Sequence, residues 1–348
     1  MELLSVTMND GVMPRSEIEG KDNSSEDKSN YKVVLTGDMV YNSMRMWQGA
    51  NGIAPCDGIV SPAYTVLMPK IPISNGYFAA LFKSTNLINE FRKNSQGMTS
   101  DTWNLKYPQI ETIKVCIPTL SEQERIADML GTLEQRIAKQ AQLVDSLKKY
   151  KRGVLSAVFN EHGSICSWET TPYQFSELAS RRSEKYDPRS GQLMPCVELE
   201  HIEQETGRII GSVPSIQQNS IKSVCKAGDT IFGKLRPYLK KYAFLKEDMV
   251  CSSEIWSLIP SSRIIPEYLF YLVQTDEFIR IANISSGTKM PRAEWSNVEK
   301  ALFSVPEKNI QHQIVHLLRR LDVKTLDAID MLDELQAMKK GLLQQLFI

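Results

Sequence analysis

The sequence lacks the features that mark secreted, membrane-spanning and zinc-binding proteins. Its cysteines are scattered, with no C-x-x-C pair, at Cys56, Cys116, Cys166, Cys196, Cys225 and Cys251. This scatter argues against a zinc knuckle or a disulfide framework and suits a reducing compartment. No apolar run approaches the ~18 residues of a membrane span, and the opening MELLSVTMNDG has no basic stretch followed by an apolar one. These absences predict a cytoplasmic protein with neither a membrane span nor a signal peptide.

Net charge is also missing. The 348 residues carry 41 Lys and Arg against 41 Asp and Glu. An anionic partner would therefore have to be bound by local basic patches rather than by the field of the whole molecule. The 42% content of apolar residues is that of an ordinary globular protein, and the length predicts two or three domains.

Catalytic motifs are scarce as well. The stretch GDTIFGK, residues 228–234, has the spacing of a phosphate-binding loop, but Leu235 stands where a Ser or Thr would hold magnesium. His312 and His316 lie one helical turn apart with no evident third ligand. No cysteine has the neighbouring histidine of a nucleophilic site. The sequence therefore predicts no catalytic residue, no metal and no cofactor.

What the sequence does contain is an internal repeat. Residues 118–159 align without gaps to residues 306–347 at an offset of 188, with eleven identical positions. Upstream, residues 36–69 align to residues 227–260 at an offset of 191, and a Gly-Asp pair, a serine and a closing proline keep their spacing. The chain is therefore interpreted as a tandem of two units, each a mixed α/β domain followed by one long helix.

Periodicity predicts the long helices. Ser121 followed by Glu124 has the pattern of a capping box, and Asn309 holds the equivalent place in the second copy. Apolar residues then recur at alternating steps of four and three over four to five heptads, which favours an antiparallel coiled coil. The alternative is two amphipathic helices on separate cores, although ~39 residues would span roughly 58 Å, more than one small domain offers.

The predicted fold class is therefore α+β, with two mixed domains and two long helices that pair. The expected boundaries are a first domain at residues 1–119, a first helix at 120–160, a second domain at 161–307 and a second helix at 308–348.

The repeated helical region resembles the conserved regions of type I restriction-modification specificity (S) subunits. The resemblance rests on IPTLSEQERIADML followed by a long helix ending in KRGVLSAVF, and on the duplicated order of domain and helix, and it spans essentially the whole chain. YKVVLTGDMVYNSMRMWQGANG and GKLRPYLKKYAFL resemble segments of that family's target recognition domains. The second copy of the motif departs from the first, since Lys308 and Ile310 stand where the first copy has leucine and glutamate.

The resemblance implies a non-catalytic DNA-binding subunit. Each target recognition domain would read one half of a bipartite site in double-stranded DNA, and the helix pair would set the spacer between the halves. Two DNA methyltransferase (M) subunits would dock on the conserved helical regions, and motor-nuclease (R) subunits would join for cleavage. The residues expected to face these partners are Glu122, Gln123, Gln311, Lys151 and Lys339.

Basic residues interleaved with aromatic residues supply the candidate DNA contacts. Arginine suits bidentate recognition of guanine, whereas lysine mostly neutralises phosphate. The candidates lie in 232–242 and its repeat partner, and in the two later loops FRKNSQGMTS and SSGTKMPR: Arg45, Trp47, Arg92, Lys93, Lys234, Arg236, Tyr238, Lys240, Lys241, Lys289 and Arg292. The alternative is ordinary solvated surface charge, but recurrence at equivalent places in both units favours DNA binding.

The two units differ at their openings. The first has 36 residues before its Gly-Asp pair, whereas the second has about 60 from Trp168 on, so we expect about two dozen opening residues of the first recognition domain to be missing. Three rival functions stay open: a partial S-type module acting as decoy, regulator or recombination donor, a coiled-coil structural protein without nucleic acid, and an enzyme whose site is not recognised.

Overall fold

The computed structural model describes residues 1–8, 11–20, 22, 24–159, 168–284 and 290–347. The chain forms two compact units, the first comprising Met1–Ala141 with Asp330–Ile348 and the second Gln142–Ile329. Each unit therefore contains part of both long helices. Among the described residues, no helix is both long enough and apolar enough to cross a membrane.

The described residues of the first unit form two small sheets, several helices and the end of the second long helix. Its strands are β1 (Glu2–Val6), β2 (Val12–Pro14), β3 (Lys32–Val34), β4 (Met39–Asn42), β5 (Asn51–Ile53), β6 (Gly58–Val60) and β7 (Tyr64–Leu67). The strand orders are β2-β1-β6-β3 and β5-β4-β7. Among these described strands of the first unit, β1 and β6 form the only parallel pair. The helices are α1 (Asn75–Leu81), α2 (Thr85–Asn94), α3 (Tyr107–Ile110) and the long α4 (Leu120–Phe159), which continues into the second unit.

The second unit repeats this plan with additional strands. Its first elements are β8 (Thr170–Gln174), α5 (Phe175–Leu178), β9 (Ala179–Arg181), β10 (Lys185–Tyr186), β11 (Pro195–Val197), β12 (Val213–Pro214) and β13 (Lys222–Cys225). The remaining elements are β14 (Thr230–Gly233), β15 (Tyr242–Phe244), β16 (Met249–Cys251), β17 (Ile255–Pro260), α6 (Pro266–Leu272), α7 (Asp276–Ala282), α8 (Trp295–Val298), β18 (Leu302–Pro306) and the long α9 (Lys308–Leu346).

Sheet topology makes the repeat visible in three dimensions. The orders β10-β13-β16-β11-β12 and β15-β14-β17-β9 contain the same successions of strands as the two sheets of the first unit, and β18 pairs with β8 in a third sheet. The predicted α+β class, with two mixed domains and two long helices that pair, is confirmed.

The long helices pack against each other in antiparallel fashion within each unit. In the first unit, the early part of α4 shares a core with the end of α9, where Leu130 and Phe347 are buried. In the second unit the roles are exchanged, because Leu155 near the end of α4 shares a core with Ile314 and Leu318 early in α9. Apolar seam residues thus serve both as helix–helix contacts and as part of each domain's core.

The predicted N-cap residues, Ser121 and Asn309, are wrong, because α4 begins at Leu120 and α9 at Lys308. The reciprocal cap is formed by Thr119 and Glu122: the Thr119 N–H donates to Glu122 Oε2 at 3.0 Å, and the Glu122 N–H donates to Thr119 Oγ1 at 3.4 Å. Helix α9 begins at Lys308, so Asn309 lies inside its first turn. A threonine and a serine two residues apart cap almost equally well, so local sequence did not choose between them.

Candidate nucleic-acid interface

The hairpin of β14 and β15 carries the densest group of predicted DNA-binding residues. Its tip has two non-glycine residues in the left-handed region, Arg236 at φ 52° and Lys240 at φ 49°. Such a backbone costs on the order of 1–2 kcal/mol per residue, so the surrounding structure must hold it. The Arg236 N–H donates to the Pro291 carbonyl at 2.8 Å, and the Ala293 N–H donates to the Lys234 carbonyl at 2.8 Å. The tip is therefore fixed against the segment 290–293.

Three side chains at this tip face outward. Arg236 is exposed, and Tyr238 is 52% exposed. Within the described part of the chain, neither the Arg236 guanidinium nor the Tyr238 hydroxyl makes a hydrogen bond, and the half-buried Lys234 ammonium makes no ion pair. A rigid backbone that presents unpaired polar groups is the arrangement that a binding partner needs.

The other cations of this unit have partners within the chain. The Lys240 ammonium lies 3.2 Å from Asp276 Oδ1 and 3.6 Å from Glu205 Oε1. The Lys241 ammonium donates to the Leu199 carbonyl at 2.6 Å. These contacts hold the hairpin in place and partly neutralise it.

Arg292 follows the same pattern on the neighbouring segment. Its Nε lies 3.0 Å from Glu254 Oε2, although the arginine side chain is still 54% exposed. Lys289 lies outside the described residues.

The first unit repeats the hairpin with β4 and β5. Arg45 and Trp47 occupy the positions of Arg236 and Tyr238 at the offset of 191, and Arg45 is exposed. Gly49, with φ 85°, takes the place of Lys240, so the left-handed turn is kept by the residue that adopts it at least cost. Trp47 is half-buried and donates through Nε1 to the Met44 carbonyl at 3.2 Å.

Aromatic packing surrounds Trp47. The Trp103 ring lies edge-on at 5.1 Å, and the Arg92 guanidinium lies 5.8 Å from the Trp47 ring centroid. Lys93 pairs with Glu90 at 2.7 Å. Arg92 and Lys93 lie in the last turn of α2, not in the loop that the sequence predicted. In each unit a basic hairpin therefore meets a second basic segment.

Two of the predicted partner contacts are buried inside the protein. Gln123 is 2% exposed: its Oε1 accepts the Ser74 N–H at 3.0 Å, and its Nε2 donates to the Pro118 carbonyl at 2.9 Å. Gln311 is 1% exposed and repeats this geometry, accepting the Ile265 N–H at 2.9 Å and donating to the Pro306 carbonyl at 2.9 Å. This burial removes both glutamines from the predicted partner surface. They join the first turn of each long helix to the preceding domain.

The two repeated lysines also turn inward. The Lys151 ammonium, in a residue 5% exposed, lies 2.5 Å from Asp322 Oδ1 and 2.8 Å from Gln274 Oε1. The Lys339 ammonium lies 2.7 Å from Glu134 Oε1, with the lysine side chain 25% exposed. Asp322 and Glu134 are themselves equivalent at the offset of 188. Each lysine on one helix therefore pairs with the repeated acid on the other helix, a relation that sequence inspection missed although both acids share the repeat spacing.

Glu122 remains on the surface, where its carboxylate caps α4. Hydrogen bonds from the Thr119 hydroxyl and backbone N–H lower the pKa of this carboxyl. Within the described ranges, no three His, Cys, Asp or Glu side chains come together in a way that would hold a metal ion. The arrangement offers two exposed arginine hairpins for binding.

Comparisons with known proteins agree on one family. The family model for the type I restriction modification DNA specificity domain matches residues 6–149 and 194–335. The type I restriction enzyme EcoDI specificity subunit of Escherichia coli is 26% identical over 274 residues, which cover 67% of this chain and 60% of that protein. The type I restriction enzyme MjaVIII specificity subunit of Methanocaldococcus jannaschii is 23% identical over 327 residues, which cover 84% of this chain and 76% of that protein.

Solved structures share the fold. The S subunit of a type I restriction-modification system from M. genitalium superposes with a TM-score of 0.60 at 14% identity, covering 99% of this chain and 94% of that one. A chain from a study of complex assembly and conformational transition of the type I R-M system gives a TM-score of 0.56 at 16% identity, covering 92% and 84%. This chain spans 60% of the length of the E. coli relative. With both halves matched by the family model, the resemblance first drawn from the helical motif is confirmed, and the chain belongs to the type I restriction-modification DNA specificity family.

Proposed function

We propose that this chain is the DNA-specificity subunit of a type I restriction-modification system and reads a bipartite site in double-stranded DNA, one half with each unit. The observation that carries the proposal is the repetition of one hairpin in both units, with an exposed arginine at the same place, Arg45 and Arg236. The relatives named above are specificity subunits of type I restriction enzymes, which supports the same function.

The geometry of the hairpin suits groove recognition. The major groove of B-DNA admits a two-stranded ribbon, and an arginine reads guanine through two hydrogen bonds. The backbone at Arg236 is already fixed in the free protein. Binding therefore costs little conformational entropy beyond that of the arginine side chain itself. Lys234 is the best candidate for a phosphate contact, whereas Lys240, Lys241 and Lys93 have acidic or carbonyl partners to give up first.

The pseudo-symmetric helices support two equivalent docking places for methyltransferase subunits, with motor-nuclease subunits joining for cleavage. Glu122 and its surroundings at the start of α4 are exposed and are part of this proposed surface. On this proposal the chain itself is non-catalytic, holds no cofactor and works in the cytoplasm, where its DNA and partners are. The recognition domains would be residues 1–119 and 161–307, joined by helices at 120–160 and 308–348.

The test compares Arg236→Ala with Arg45→Ala in a complex reconstituted with a methyltransferase subunit. Each change should cost roughly 1–3 kcal/mol of binding free energy and relax one position, in a different half-site for each variant. Lys234→Ala should instead weaken binding to all sequences and reduce the salt slope by about one. Methylated sites would be mapped by sequencing. Unchanged sequence specificity in both arginine variants would contradict the proposal.

The structural-protein alternative is disfavoured by the family match. The decoy alternative is disfavoured because the relatives named above are specificity subunits of type I restriction enzymes. A decoy would bind DNA but fail to direct methylation when supplied with a methyltransferase subunit, so the same reconstitution separates the two.

A further inference from the structure

The second unit has a strand–helix–strand segment, formed by β8, α5 and β9, that covers one side of its domain. Strand β9 pairs with β17, and β8 pairs with β18. In the first unit, β7 corresponds to β17 but is the edge of its sheet. No described strand pairs with the outer side of β7, where the Tyr64 carbonyl accepts a hydrogen bond from the Lys32 ammonium. Residues 113–119, which contain the counterpart of β18, form no strand. The first unit thus presents two unpaired backbone edges where the second unit has pairing.

The side chains beneath this segment differ in the same way. Phe175 of α5 is fully buried and lies 5.8 Å from the Trp295 ring and 5.7 Å from the Phe303 ring. At the offset of 188, Trp295 corresponds to Tyr107 and Phe303 to Val115. Phe303 is 5% exposed, but Val115 is 39% and Tyr107 41% exposed. The first unit therefore leaves open the apolar surface that Phe175 covers in the second.

An ionic anchor completes the comparison. In the second unit, Arg182 donates to both oxygens of Asp229, from Nε at 2.7 Å and from Nη2 at 2.8 Å, directly after β9. Asp229 also accepts the Lys226 N–H at 3.0 Å. Asp38 is its counterpart and makes the same turn, accepting the Leu35 N–H at 2.9 Å. Asp38 makes no other side-chain hydrogen bond to the described residues, and it is only half-buried.

We infer that this face of the first unit is a docking site for a strand–helix–strand segment with the chemistry of residues 170–182. We call it the open face and define it by the outer edge of β7, residues 113–118, Tyr107 and Asp38. The occupant would add a strand at each edge, place an aromatic residue of its short helix over Tyr107 and Val115, and pair an arginine with Asp38. Strand addition of this kind takes its affinity from main-chain hydrogen bonds and its specificity from the pockets and charges beside them. The chemistry of the occupant is that of residues 170–182 of this chain, which fill the equivalent place in the second unit.

A labelled peptide with the sequence of residues 168–184, WETTPYQFSELASRRSE, tests the inference directly. Added to the full chain, it should bind saturably, as measured by fluorescence anisotropy. Peptides carrying Phe175→Ala or Arg182→Ala should bind about tenfold more weakly, which corresponds to about 1.4 kcal/mol. In the protein, Asp38→Asn should weaken the parent peptide by a similar factor but leave the affinity of the Arg182→Ala peptide unchanged, because the two groups act as a pair.

The exposed Cys116 locates the bound peptide. It corresponds to Ser304, which lies opposite Pro172 in the β18–β8 register. A Pro172→Cys peptide, supplied as its mixed disulfide with glutathione, should exchange with the Cys116 thiolate, forming the protein–peptide disulfide and releasing glutathione. A Tyr173→Cys peptide is the matched control, since its side chain points to the opposite face. The mass shift should form several-fold faster with the first peptide and disappear in Cys116→Ser.

Three results would overturn the inference. They are the absence of saturable binding, equal crosslinking by both cysteine peptides, and a concentration-dependent dimer whose hydrogen exchange is slowed at β7. The last result would assign the open face to a second copy of this chain.

Discussion

Asp229 shows how a buried carboxylate is kept ionised. Burial alone would raise the pKa of Asp229, but hydrogen bonds from Arg182, from the Lys226 N–H and from the Ser257 hydroxyl outweigh burial and lower the pKa below its ordinary value of 3.8. A carboxyl with a lowered pKa in the folded state stabilises that state above its unfolded pKa. This stabilisation is lost as the pH falls through 3.8 toward the folded pKa.

The expected result is an acid-sensitive second unit. Asp229→Asn should lower the free energy of unfolding by roughly 3 kcal/mol near neutral pH, because the half-buried Arg182 guanidinium loses its closest partner and keeps only Glu184 at 3.4 Å. The variant should also lose less stability than the parent as the pH falls from about 4 toward the folded pKa of Asp229, as measured by urea denaturation. Asp38→Asn is the matched control and should cost clearly less, since no arginine among the described residues pairs with Asp38. Equal losses in the two variants would contradict this account.

At the same scale, the sequence located the basic hairpins but did not sort their side chains. The repeat spacing and the mixture of arginine with aromatics were enough to place Arg45 and Arg236 at equivalent hairpin tips. Whether a basic side chain is already in an ion pair depends on acidic residues that are distant in sequence. The nearer acidic partner of Lys240 lies 36 residues away in sequence and that of Arg292 lies 38 residues away, so no local pattern identifies them.

The role of the repeated glutamines, Gln123 and Gln311, was also not distinguishable from the sequence. Their identity at the same offset suggested a shared surface function, but an identical residue is equally expected where two copies keep the same internal hydrogen bonds. Only the positions of Ser74 and Ile265, brought close by the fold, distinguish the two explanations.

At the scale of elements, the two interhelical ion pairs differ in burial. Lys151 and Asp322 have side chains 7% and 16% exposed, whereas Lys339 and Glu134 are 25% and 51% exposed. A buried charge without its partner is costly, whereas an exposed pair contributes little. The two interhelical ion pairs should therefore contribute unequally to the free energy of unfolding.

We expect Asp322→Asn to destabilise the protein by about 3 kcal/mol and Glu134→Gln by less than about 1 kcal/mol. Thermal unfolding monitored by circular dichroism would measure both, and the two variants serve as each other's control. A double variant Lys151→Met with Asp322→Leu should recover much of the first loss, because no unpaired charge would be left in the interior. Equal effects of Asp322→Asn and Glu134→Gln would be evidence against a buried lysine.

Helices and strands were not equally predictable. The long helices follow from a seam that repeats within the local sequence, so their existence and pairing could be predicted and only their N-cap residues were missed. The strands are two to six residues long and depend on distant partners, as when β18 pairs with β8. Their number and register could not be obtained from periodicity, because so short an apolar run fits several structures.

At the scale of the molecule, the repeat predicts stoichiometry. If the helical regions dock methyltransferase subunits through two equivalent surfaces, a reconstituted complex should contain two such subunits for each chain. Native mass spectrometry would measure this ratio. A ratio of one would restrict partner docking to one of the two units and weaken the proposed function.

Helix length should determine the number of unread base pairs between the half-sites. One heptad inserted in both helices, after Gln140 and after Ala328, keeps the apolar seam in register and lengthens each helix by about 10 Å. Since B-DNA rises about 3.4 Å per base pair, the spacer should grow by roughly three base pairs while both half-sites stay the same. Methylome sequencing would measure both the spacer length and the half-site sequences directly. A fixed spacer with altered half-sites would show that the helices belong to the reading surface.

The division of α9 between the two units has a consequence for synthesis on the ribosome. The second unit, Gln142–Ile329, is one uninterrupted stretch of chain, whereas the first unit also needs Asp330–Ile348. Phe347 is 7% exposed and its ring lies 5.3 Å from that of Tyr77 in the first unit's core. Domains commonly fold in the order in which they are translated. Here that order is reversed, because the unit whose translation starts first must wait, with its core incomplete, until the other unit has been made.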